Sequence, residues 1–66
     1  MSVLKVIELL SSSKNSWEEA TQKAITKASK SLKNIRSVYV KDHSASVDGG
    51  KISEYRVTLK VTFELE

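Results

Sequence analysis

The chain has 66 residues, with 11 lysines and arginines against 8 acids for a net charge of +3, one histidine and no cysteine. Disulfide stapling is therefore excluded and a zinc staple nearly so, although a chain of this length buries only about 60% of the surface it exposes when unfolded. Small folds without such staples usually rely on self-association, so one domain over residues 1–66 that assembles with copies of itself is expected. The apolar stretch VLKVIELL is interrupted by Lys5 and Glu8, without a signal-peptide pattern, and no run reaches membrane-spanning length. A soluble, cytoplasmic protein with no membrane partner is the expectation.

Residues 3 to 10 carry apolar groups on both faces of an alternating pattern, which predicts a strand covered on both sides. The serine tract SSSKNS is read as the break after it. Ser16 and Glu19 then predict a capping box, with the serine oxygen taking the Glu19 amide and the Glu19 carboxylate reaching back to the Ser16 amide. An apolar stripe at Trp17, Ala20, Ala24, Ala28 and Leu32, widened by Ile25, predicts a helix with Lys23, Lys27 and Lys30 on its solvated side.

Ile35 to Lys41 returns to period two, with Val38 and Val40 opposed to Ser37, Tyr39 and Lys41. Residues 42 to 51 contain both glycines and read as the polar connection between antiparallel strands. In YRVTLKVTFELE the set Tyr55, Val57, Leu59, Val61, Phe63 and Leu65 forms one face, over a strand about 40 Å long. The predicted class is α+β: a β-α-β-β protomer with one helix packed on a three-stranded antiparallel sheet, leaving apolar area for partner subunits to cover.

Catalytic signatures are missing: no cysteine nucleophile, glycine-rich phosphate loop or paired histidine and carboxylate motif is present, so the chain is not read as an enzyme. His43 is read as an exposed loop residue. Asp42 and Asp48, six residues apart, lack the dense carboxylates of a calcium loop. Trp17, on the apolar stripe in the first helical turn, reads as a core or interface anchor.

Four stretches in order, KVIEL, SWEEA, the AxxxASKxLxNIR pattern and GKIxEYRV, resemble the dodecin family across essentially the whole chain. The resemblance implies a hollow homododecamer that binds a flavin (FMN or riboflavin) without catalysis, as a storage or buffering device. Similar proteins stack an indole on the flavin just after the helix-to-strand junction, where this chain has Ser37. A glutamine that pairs with the ring's polar edge is matched by Arg56, which only donates. Family arginines that hold a flavin phosphate are matched by Ser44 and Glu64, while Asp42 retains an acidic position that meets the ribityl chain. Tyr39, two residues beyond Ser37, is the first candidate for a substitute stacking group. Ser37, Tyr39, Asp42, Ser44 and Arg56 are thus the candidate ligand positions, with flavin binding weakened at Ser37.

Two alternatives remain open. Glu8, Asp42, Asp48, Glu64 and Glu66, gathered from several subunits, would suit calcium or magnesium in a cation-binding or purely structural shell. Nucleic-acid binding fits the net charge, yet Thr58, Thr62, Glu64 and Glu66 dilute the cations of the last strand and no aromatic pair accompanies them. Arg36 and Lys41 are expected to pair, or to line a rim, between packed subunits.

Overall fold

The computed structural model describes residues 3–66, in the order β1 (Leu4–Ser13), α1 (Trp17–Ala28), β2 (Ile35–Asp48) and β3 (Lys51–Glu64). The three strands form one antiparallel sheet in the order β1-β3-β2, so β3 is central and the other two are edges. This placement suits β3, whose Val57, Leu59 and Val61 are buried against Ala20 and Ala24 of the helix. The two alanines let the helix approach closely, and Ile7, Leu9, Trp17, Ile25, Ile35, Val38 and Val40 complete the core at its margins. The helix rides over β1 and β3.

Several element boundaries differ from those the sequence predicts. The serine tract does not end β1: Ser11, Ser12 and Ser13 stay in register with Val57, Arg56 and Tyr55. Pairing to a central strand overrides the weak strand preference of serine. Residues 42 to 48 likewise belong to β2 rather than to a loop, and only Gly49 and Gly50 make the turn, with φ of +58° and +76°. Two positive φ values in a two-residue hairpin connection are what glycine supplies without steric cost. The helix stops at Ala28, short of Leu32; Ser29 caps it and its hydroxyl donates to the Ile25 carbonyl at 2.7 Å. Asn34 at φ 62° turns the chain into β2, a left-handed conformation that asparagine tolerates.

The helix start shows a related correction. Ser16 Oγ accepts from the Glu19 amide at 2.9 Å as expected. The Glu19 carboxylate, however, does not return to the Ser16 amide. It accepts from the Ser13 hydroxyl and, at 2.8 Å, from Asn15 Nδ2, while Ser13 Oγ accepts from the amides of Asn15 and Ser16. The last residue of β1 is thereby tied to the first turn of α1. These hydrogen bonds, Ser13 foremost, then Asn15, with a smaller contribution from Lys23, hold the Glu19 carboxyl below its ordinary pKa against a small opposing desolvation. A depressed carboxylate pKa stabilises the fold above the unfolded-state value, and that contribution disappears as pH falls through the folded-state value. Glu19→Gln is therefore expected to lower stability at neutral pH while matching the parent protein in acid; parallel denaturant curves across the acid range read the convergence, and a pH-independent gap would contradict it.

The protomer is elongated, 51 × 20 × 13 Å, with a radius of gyration of 13.5 Å. A compact chain of this length has a radius near 11 Å, and much of the excess lies in the hairpin. β1 ends opposite Tyr55, so β2 and β3 continue as a two-stranded arm to the glycine turn.

Candidate functional site

The helix covers one face of the sheet and leaves the other bare. Residues directly opposite in an antiparallel pair share a face, which lets the register assign every candidate residue. Ser37 lies opposite Thr62, Tyr39 opposite Lys60, Asp42 opposite Thr58 and Ser44 opposite Arg56. All four β3 partners alternate with the buried Val57, Leu59 and Val61. Ser37, Tyr39, Asp42, Ser44 and Arg56 consequently share the helix-free face.

Simple alternation does not predict that grouping, because Ser37 and Tyr39 are odd-numbered whereas Asp42 and Ser44 are even-numbered. A register shift between Val40 and Asp42 leaves Lys41 as an extra residue and reverses the parity. A second shift between Ile35 and Ser37 leaves Arg36 extra, so Ile35 joins the core while Ser37 faces away from it. One inserted residue re-aims all the side chains that follow it, the usual consequence of a bulge.

The two extra residues are the two cations expected to pair, or to line a rim, between subunits. Within the protomer each meets an acid of its own chain. Arg36 meets Glu64 at 2.9 Å, and Lys41 reaches Glu8 of the far edge strand at 3.3 Å. Both pairs are solvent-accessible, so each contributes at most about 1 kcal/mol. They also engage two of the carboxylates considered for a shared cation site. Among the described residues no three His, Cys, Asp or Glu side chains come together in a group that holds a metal.

On the helix-free face, Arg56 Nη2 donates to Ser46 Oγ at 2.8 Å, which holds the guanidinium along its own hairpin. Tyr39 is 66% exposed. Among the described residues its ring is the single aromatic group on this face, because Phe63 and Tyr55 pair with the core-side residues Ile35 and Ala45, and Trp17 belongs to the helix. Leu4, Val6 and Leu10 of β1 pair with Glu64, Thr62 and Thr58 and so flank the polar band; all three are exposed, Leu10 to 82%.

The opposite face contains an aromatic group whose members lie far apart in the sequence. Trp17 donates its indole N–H to the Ser44 carbonyl at 2.9 Å, packs edge-on against Tyr55 with ring centroids 4.8 Å apart, and meets His43 at 5.5 Å. His43 is therefore a strand residue beside an indole, not a loop residue. The signal that locates it is the Lys41 bulge, which places His43 opposite the buried Val57.

The dodecin family model matches residues 3–66. This chain belongs to the dodecin family. Its relatives include the calcium dodecin of Mycobacterium tuberculosis, 41% identical over 98% of this chain and 92% of that protein. Among solved structures, a variant of the Thermus thermophilus dodecin superposes with a TM-score of 0.94 at 33% identity, covering 100% of this chain and 98% of the other. A crystal structure of the M. tuberculosis calcium dodecin, described as having a novel calcium-binding site, superposes with a TM-score of 0.84 at 39% identity, covering 98% and 93% of the two chains. The β-α-β-β order and single antiparallel sheet of this dodecin-family chain agree with the sequence-based expectation. Among its described residues no helix is long and apolar enough to cross a membrane.

Proposed function

We propose that this chain builds a non-enzymatic homododecameric binding shell in which the helix-free sheet face is the ligand wall, and that this wall holds a small polar ligand in preference to a stacked flavin. The carrying observation is the gathering of Ser37, Tyr39, Asp42, Ser44 and Arg56 on that one face, with a serine at the stacking position and Tyr39 as the sole ring among the described residues. The groups that project from the wall are hydroxyls of Ser37, Ser44, Thr58 and Thr62 together with the charges of Asp42, Arg56 and Lys60. These recognise a ligand through hydrogen bonds and ion pairing, and Asp42 accepts where Arg56 and Lys60 donate. Riboflavin and FMN titrated against the purified assembly, followed by quenching of flavin fluorescence, test the reading. Binding weaker than micromolar is expected; sub-micromolar affinity would refute it.

A second reading takes the ligand to be calcium, favoured by the relative named calcium dodecin at 41% identity. Because one chain does not bring three ligating side chains together among its described residues, such a site would draw on several protomers. Asp42 and Asp48 are its first candidates, since Glu8 and Glu64 are engaged with Lys41 and Arg36. Calcium at 100 times its Kd stabilises by about 2.7 kcal/mol, which corresponds to a rise in Tm of about 10–20 °C for a chain this small. Thermal denaturation with calcium, with flavin and with neither discriminates the readings. A calcium-specific rise that Asp42→Asn abolishes selects the cation; no shift with calcium removes it.

A further inference from the structure

The helix sits over β1 and β3, so the core-side row of β2 is only partly covered. An open groove results between α1 and β2, floored by Val38 and Val40, walled by Ile25 and Thr21, and closed at one end by Trp17 and His43. The indole bond to the Ser44 carbonyl fixes that closed end. Elsewhere on the same chain, Val47 and Ile52 face each other across the projecting hairpin arm, 67% and 49% exposed. A two-stranded arm with an exposed apolar pair gains stability by packing against something else.

We infer that the Val47 and Ile52 tip of one chain seats in the α1–β2 groove of a second copy. The tip does not fill its own groove: Val47 lies four residues beyond His43 on an extended strand, about 13 Å past the closed end. A second groove, between α1 and β1, is lined by Leu9, Leu10, Ala24 and Ala28, but Lys23 and Lys27 stand beside it, whereas the α1–β2 groove carries the acid Glu18. The polar flanks of the tip and the α1–β2 groove are complementary. Glu18 stands on the groove wall and Lys51 beside the tip, while His43 closes the groove and Asp48 lies opposite Lys51. A contact that joins different patches on the two copies is head-to-tail, and it closes into a ring where the rotation permits. The assignment rests on the self-assembly reading above and specifies which surfaces meet.

The absence of cysteine makes a direct test clean. Gln22, at the groove, and Val47, at the tip, are both exposed, so the double variant Gln22→Cys/Val47→Cys is expected to fold as the parent does. Under a mild oxidant it should give covalent multimers on a non-reducing gel, and neither single variant should give that ladder. In parallel, Ile52→Asp, also at an exposed position, should lower the assembled fraction on sizing by at least about tenfold with circular dichroism unchanged. A protein that assembles normally with Ile52→Asp, and whose double-cysteine form assembles without cross-linking, overturns the tip-in-groove contact while leaving self-assembly intact. A parent protein that is monomeric on sizing overturns both.

Discussion

Leu59→Ala is expected to lower the unfolding free energy by about 2–5 kcal/mol, the range for truncating a fully buried leucine. Leu59 is completely buried at the centre of β3, with Leu9 opposite on one side and Val40 on the other. Both edge strands and the helix converge on it, which limits how far the surroundings can collapse into the space left. A chain of 66 residues has a total stability of about 3–10 kcal/mol, so the loss removes much of it. Leu10→Ala is the matched control. Leu10 is the next residue along β1 from Leu9, yet 82% exposed on the other face, and its truncation should cost about 0.5 kcal/mol or less in the unassembled chain. Urea unfolding at one fixed protein concentration reads both variants. Equal midpoints for the two would mean that β3 is not the centre of the core.

Ser37→Trp is expected to raise flavin affinity about 5- to 150-fold, because stacking of an aromatic side chain on a planar heterocycle contributes about 1–3 kcal/mol per ring. The position tolerates the change: Ser37 is exposed and lies opposite Thr62 on the helix-free face, so an indole there displaces no core residue. The fluorescence titration that tests the parent protein measures the gain. A Ser37→Trp protein that keeps its thermal stability and shows no gain would mean that this face is not where a planar ligand lies. A tyrosine control separates the ring from the site: Tyr39→Ser should leave the Ser37→Trp gain largely in place if the new indole alone carries the stacking.

Much of this molecule is legible in the order of its residues. The strict alternation from Tyr55 onward identifies β3 and its buried face, because a half-buried strand has a period of two and the pattern continues without a break past Glu64, where β3 ends. Ser16 before Trp17 marks the helix start, and the only two glycines mark the hairpin turn. Where the reading falls short, the cause is tertiary. Ser11, Ser12 and Ser13 look like a linker and act as a strand because the partner residues of β3 extend that far. His43 looks like a loop residue and lies beside Trp17 because β2 runs on to Asp48.

The candidate site divides in the same way. Its residues were nameable from motif matches, but whether they face the same way depended on Arg36 and Lys41 being extra residues in the β2–β3 register. A bulge leaves little trace in composition, since its position follows from how two distant strands settle against each other and against the helix. Similarly, Arg36 and Lys41 were recognisable as ion-pair residues while their partners were not, because Glu64 and Glu8 lie 28 and 33 residues away along the chain. By itself, then, the sequence determined the element types, the buried face of β3, the family and the serine at the stacking position, all of which are local patterns. The face on which the candidate side chains meet, the reach of β1 and β2, and the open groove beside the helix were decided by the tertiary structure. They depend on long-range pairing, in which one inserted residue reverses everything beyond it.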